Sequence, residues 1–230
     1  MIEIQDLWFE YPNKRIALKG IDLHIHPGEK TALVGLNGAG KSTLLLHLNG
    51  ILNGHGTIWI DGIRLTANTV GQVRALVGLV FQSPDDQLFS PTVFEDVAYG
   101  PIYQGLPPEE IEARVRMALN MVGMQDYGDR APYHLSVGEK KRVAIATVLS
   151  MQPKILALDE PSAGLDPRAR RSLINLLKGL PHTMLIATHD LGLVEEVASR
   201  VLVMSEGKIT ADGKTEHILK DKETLQKYLL

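Results

Sequence analysis

The chain has 230 residues, 44% of them hydrophobic and 22% charged, a formal net charge of −3 and no cysteine. It is long enough to bury a core in one large or two small domains, and its slight acidity excludes bulk attraction to nucleic acid or to an anionic membrane. Disulfides and thiolate metal sites are excluded, and without a leader or an apolar run near the roughly 20 residues of a bilayer span the expectation is a soluble, cytoplasmic protein.

Residues 2 to 34 alternate in strand fashion, with Ile21, Leu23 and Ile25 on one face, and Pro27-Gly28 turns the chain into the apolar strand Thr31 to Val34. A glycine-rich loop and a helix starting at Lys41 come next, then two strand-like segments, TIWIDG and LVGLVF, up to residue 81. Between 84 and 108 lie five of the twelve prolines, followed by an amphipathic helix that opens at Pro108 with Ile111, Val115, Leu119 and Val122 on one stripe. Beyond 141 the pattern alternates: helix 142 to 151, strand ILALD, helix 167 to 179, strand MLIATHD, helix 191 to 199, strand VLVM. Such alternation specifies a mostly parallel sheet covered by helices, with a β-rich N-terminal segment and a helical insertion at 82 to 141.

The loop Gly35-Leu-Asn-Gly-Ala-Gly-Lys-Ser42 sits between strand and helix. Its glycines let backbone N–H groups and the helix N-terminus point at phosphates, Lys41 neutralises the β and γ groups, and the Ser42 hydroxyl reaches Mg²⁺. At the end of strand ILALD, Asp159 and Glu160 arrive where ligands collect in open α/β sheets; successive side chains of a strand diverge, so Asp159 faces Mg²⁺ and Glu160 the attacking water. Gln82 and His189, each directly after a strand, are candidates for the same sheet edge.

A second anion-binding stretch, LSVGEKKR at 135 to 142, offers the Ser136 hydroxyl, the close backbone approach of Gly138 and a helix N-terminus. Carried by the insertion away from the chain's own phosphate loop, it would meet a phosphate held by another subunit.

In this order the motifs resemble the nucleotide-binding subunit of ABC transporters over nearly the whole chain: Gly35 to Ser42 the Walker A motif, Ile155 to Asp159 the Walker B motif with Glu160 as catalytic glutamate, Gln82 the Q-loop, Leu135 to Glu139 the signature, Ser162 to Asp166 the D-loop and His189 the switch histidine. The resemblance implies one ABC ATPase domain: a P-loop core with a mostly parallel sheet and an N-terminal antiparallel β subdomain (1–81 and 142–230), and an inserted helical subdomain (82–141). ATP is implied as substrate, with Mg²⁺ held through Ser42, Gln82 and Asp159. The implied ATP contacts are Tyr11, which stacks on adenine, then Gly35, Asn37, Gly38, Gly40, Lys41, Ser42, Thr43, and Ser136, Gly138 and Asp166 around a nucleotide shared head to tail by two subunits. Catalysis falls to Glu160, His189 and Gln82.

The signature departs from the family's LSGGQ at Val137, which lacks glycine's freedom at positive φ, and at Glu139, which brings a negative charge near the incoming phosphate unless Lys140, Lys141 or Arg142 offsets it. Ser83 to Pro91 resembles the proline-aspartate-x-glutamine segment of energy-coupling-factor importers, in particular the cobalt and nickel type, as does a chain ending without an appended regulatory domain. Aromatics such as Phe89, Phe94, Tyr99 and Tyr103 then suggest a surface, Gln82 to Tyr103, that receives integral membrane subunits. The expected assembly is a homodimer, or a pair with a similar ATPase, at the cytoplasmic face of the membrane and without nucleic acid. A vitamin-type coupling factor and a soluble ABC ATPase acting on nucleic acid are the alternatives. His24 and His26 share a strand face but find no third ligand nearby, which favours an ordinary solvated face.

Overall fold

A computed structural model of the protein describes residues 1–221 together with Glu223 and Gln226. In chain order the elements are β1 (Ile2–Glu10), β2 (Ile16–Ile25), β3 (Lys30–Val34), α1 (Lys41–Leu48), β4 (His55–Ile60), β5 (Ile63–Arg64), α2 (Val70–Leu76), β6 (Val77–Val80), α3 (Val93–Tyr103), α4 (Pro108–Met121), α5 (Val137–Leu149), β7 (Ile155–Asp159), α6 (Pro167–Gly179), β8 (Thr183–Ala187), α7 (Leu191–Val197), β9 (Arg200–Ser205), β10 (Lys208–Lys214) and α8 (Thr215–Ile218). Among the described residues, short 3₁₀ turns lie at Pro84–Asp86, Gln125–Tyr127 and Pro132–His134.

The chain divides into two units, the first holding residues 1–79, 154–160 and the segment from 181 on, the second holding 80–153 and 161–180. The first contains both sheets. In the smaller, β2-β1-β4-β5, the strands pair antiparallel throughout. Ile2 lies opposite Ile25 and Ile4 opposite Leu23, all four buried, so period-two alternation sets the register there, and a register shift between Ile4 and Leu7 moves the buried side of β1 to Leu7. The larger sheet runs β10-β9-β3-β8-β7-β6; β3 is parallel to both β8 and β9, and β7 to β8, while β10 closes the edge antiparallel to β9.

β3, β7 and β8 are buried almost throughout, the continuous apolar run that a parallel sheet covered on both faces requires. Ala32, Val34, Val201 and Val203 pack with Val194 and Ala198, and α1 packs on β7 and β8. The C-terminal ends of β3, β7 and β8 thereby carry Gly35, Glu160 and Thr188 on one edge of the sheet.

In the second unit α3, α4 and α5 pack on one another. A capping box opens α3, with the Thr92 hydroxyl accepting from the Glu95 amide and the Glu95 carboxylate accepting from the Thr92 amide. One expectation needs adjusting: α5 begins at Val137, five residues before the expected helix 142 to 151, because Ser136 and Glu139 form a second capping box. Between the two expected strand segments, residues 70 to 76 form the short helix α2. Among the described residues no helix is long and apolar enough to cross a membrane.

Candidate active site

Between β3 and α1 the chain must reverse tightly, and it does so on glycine: Gly38 and Gly40 take φ of 83° and 111°, conformations costly for any residue with a Cβ. A Cβ on Gly40 would lie 2.6 Å from the Ala17 carbonyl oxygen and 2.7 Å from the Met204 Cε. Gly40 is the N-cap of α1, followed by a buried Lys41, an exposed Ser42 and a buried Thr43. The Lys41 ammonium donates to the carbonyls of Gly35 (2.7 Å) and Leu36 (3.3 Å), so the loop's own backbone holds it at the loop's centre. Burial pushes the Lys41 pKa down, opposed by the carboxylates of Glu160 and Asp159. Asn37 and Gly38 are exposed at the loop tip.

Asp159 is the last residue of β7. Glu160 does not continue the strand: its φ is +43°, the left-handed region, which costs a non-glycine residue about 1–3 kcal/mol and recurs at functional sites. A backbone reversal therefore aims the Glu160 side chain, where simple strand alternation was expected. Its amide donates to the Ala187 carbonyl (2.8 Å), and its carboxylate lies 2.9 Å from His189 Nδ1 and 3.9 Å from the Lys41 ammonium. The same carboxylate accepts from the Thr188 hydroxyl (3.3 Å) and the His189 amide (3.4 Å). Lys41, Asp159, Glu160 and His189 are thus brought together within the first unit, where only His189 is largely exposed. Tyr11, just past β1, sets its hydroxyl 3.0 Å from that of Thr43 and its ring edge-on to Phe9.

Gln82, Ser136, Gly138 and Asp166 belong to the second unit. The exposed Gln82 accepts at its main-chain carbonyl from the Lys141 ammonium (3.1 Å). Ser136 is the N-cap of α5 and Val137 its first helical residue, so position 137 requires no positive φ. Asp166 caps α6, Oδ1 accepting from the amides of Arg168 and Ala169. A cavity of about 710 Å³ lies over these two helix N-termini, lined by Ser136, Gly138, Gly164, Asp166 and Arg168. Lys140 pairs with Asp85 at 2.6 Å and Arg142 donates to the Ser172 hydroxyl at 2.6 Å. Lys140 and Arg142 thus engage Asp85 and Ser172, and Lys141 donates to the Gln82 carbonyl. The Ser136 hydroxyl and amide and the Tyr127 hydroxyl hold the Glu139 carboxylate, lowering its pKa, with Arg130 adding to the effect.

With this geometry in view, the family model described as "ABC transporter" matches residues 18–163. The chain belongs to the ABC transporter family. It is similar to the energy-coupling factor transporter ATP-binding protein of Methanocaldococcus jannaschii, 49% identical over 99% of this chain and 84% of that one. An ABC transporter ATP-binding protein of Geobacter sulfurreducens is 53% identical over 98% of this chain and 91% of its own length. Among solved structures, CbiO1 of Clostridium perfringens, part of the ABC transporter complex cbiONQ, superposes with a TM-score of 0.86 at 42% identity, covering 98% of this chain and 93% of that one. The cassette MJ0796, solved as a dimer bound to ADP and Pi, superposes at 0.83 with 27% identity over 94% and 99% of the two chains. The fold is that of an ABC ATPase, and this chain is an ATPase of that family.

Two residues beside this candidate site carried no sequence signal. Thr188, fully buried, holds Glu160 and also accepts from the Asp190 amide. Arg15 donates to the Gly38 carbonyl (3.2 Å) and so places a cation at the loop tip. A threonine in TMLIATH reads as strand and an arginine after a turn as surface; only the end-on view of the sheet distinguishes them. His24 and His26 are exposed and edge to face at 4.4 Å. Among the described residues no group of three His, Cys, Asp or Glu side chains can hold a metal.

Proposed function

We propose that this chain is the ATP-hydrolysing subunit of an energy-coupling-factor importer for cobalt or nickel ions, working as a homodimer peripherally bound at the cytoplasmic face of the membrane. The observation that carries the catalytic part is the buried Glu160 carboxylate, turned out of its strand between Lys41 and His189. In this reading Glu160 takes a proton from water as its oxygen attacks the γ-phosphorus, the bond to the bridging oxygen breaks, and ADP leaves. Lys41 and the N-terminus of α1 offset phosphate charge, Tyr11 supports adenine, and His189 moves from Glu160 to the γ-phosphate. Ser136 and Gly138 of the second copy, with Asp166, complete the nucleotide site.

The oxygen donors Ser42 and Asp159 suit Mg²⁺, and the lack of a self-sufficient carboxylate cluster among the described residues suits an ion held jointly with nucleotide phosphates. Bound there, magnesium supplies charge neutralisation on the β and γ oxygens.

Support for the importer reading comes from the second unit. Phe89 and Tyr99 stack edge to face at 5.2 Å, and both are exposed together with Ile102 and Tyr103. This apolar patch is where a membrane subunit would dock. Likeness to CbiO1 favours the metal type; likeness to energy-coupling factor ATP-binding proteins keeps the shared ATPase of a vitamin-type transporter as the second reading.

Glu160→Gln tests the catalytic part: a trapped ATP-filled dimer is expected, and hydrolysis at the parental rate would refute the base assignment. Pull-down from native membranes tests the rest. An integral partner with cobalt or nickel uptake after reconstitution supports the first reading, a second ATPase chain the other, and the absence of any integral partner removes both.

A further inference from the structure

Ser136 must donate a proton to greet a phosphate, and in this chain that proton is already committed. The Ser136 hydroxyl donates to Glu139 Oε2 at 2.7 Å and accepts from the Glu139 amide at 3.4 Å. A carboxylate is acceptor-only, so the direction of the first bond is not in doubt, and the hydroxyl's remaining outward face is a lone pair. The carboxylate is itself held fast. Oε2 also accepts from the Ser136 amide at 2.8 Å, Oε1 accepts from the Tyr127 hydroxyl at 2.8 Å, and the Arg130 guanidinium lies 3.9 Å over the Tyr127 ring. Lys140 and Arg142 are turned toward Asp85 and Ser172.

We propose that Glu139 is a positioning residue that sets how much ATP is needed to close the dimer: its carboxylate holds the Ser136 proton that an incoming phosphate of the second copy's nucleotide must take, and puts a negative charge beside that phosphate. This rests on the composite-site reading above. Closure exchanges one charge-assisted hydrogen bond for another, near neutral in itself, while the like-charge repulsion has no counterpart. The consequence is an ATPase whose closed state is reached only at higher ATP, or with help from a docked partner.

Gln at the third helical position also completes a capping box, so Glu139→Gln removes the charge and keeps the cap. In the Glu160→Gln background, ATP titrations of dimer formation followed by analytical ultracentrifugation compare Glu139 with Glu139→Gln and Glu139→Asp. The half-maximal ATP concentration is expected to fall about fivefold for Gln, the scale of one partly exposed charge interaction, and to stay within about twofold for Asp. The Gln advantage should shrink as salt is raised from about 0.05 to 0.5 M, because screening acts on charge and not on packing. An unchanged or higher ATP requirement in Glu139→Gln, or an advantage indifferent to salt, overturns the proposal while leaving the composite site standing. No ATP-driven dimer in any background overturns both. Should Glu139→Gln fail to fold, Glu139→Asn, also uncharged, gives the same comparison.

Discussion

The pairing of Lys41 with Glu160 can be tested without nucleotide, as a statement about stability. The two side chains are 6% and 8% exposed and their charged atoms 3.9 Å apart. At an effective dielectric constant of about 20, two unit charges at that separation attract by about 4 kcal/mol. The coupling read by a double-mutant cycle should be smaller, about 2 kcal/mol. Lys41 keeps its bonds to the Gly35 and Leu36 carbonyls, and Glu160 its contacts with Thr188 and His189, when the other partner is altered. Lys41→Met takes the ammonium from beside a buried carboxylate and should cost about 3 kcal/mol, lowering Tm by about 6–12 °C for a chain of this size. Urea unfolding of the nucleotide-free parent, Lys41→Met, Glu160→Gln and the double variant completes the cycle. A coupling below about 0.5 kcal/mol, or Lys41→Met as stable as the parent, would refute the view that the two groups balance each other in the resting site.

Ser136→Ala removes the hydroxyl expected to meet the second copy's nucleotide and should abolish turnover while leaving ATP binding by the monomer intact, as read by equilibrium dialysis beside a phosphate-release assay. Gln87→Ala should cost about 2–3 kcal/mol in urea unfolding, because this side chain accepts from the Phe81 amide at 3.1 Å and donates to the Ala144 carbonyl and Thr147 hydroxyl, each at 2.8 Å, tying the segment after Gln82 to α5. Gly40→Ala forces a Cβ against the Ala17 carbonyl in a left-handed backbone and should cost at least about 2 kcal/mol and weaken ATP binding, both read by thermal unfolding with and without ATP.

The larger sheet was legible because its central strands are continuous apolar runs that alternate along the chain with helical segments. Leu156 to Leu158 and Met184 to Ala187 are fully buried, as two covered faces demand. Residues 70 to 76 escaped because VGQVRAL is too short to display a helical period. The start of α5 escaped because SVGEKKR is polar, and its helicity comes from the cap made by Ser136 and Glu139 and not from an apolar face.

From the sequence alone come the order of the motifs, the glycines that a tight phosphate loop needs, and the delivery of Asp159 and Glu160 to a strand end, since these follow from residue type and spacing. The direction in which Glu160 points, its meeting with His189, the role of Thr188 behind it and the capture of the Ser136 proton by Glu139 needed the tertiary structure. Each depends on a left-handed backbone residue, a neighbouring strand or a hydroxyl's single proton, and such local geometry leaves no period or composition in the chain to be read.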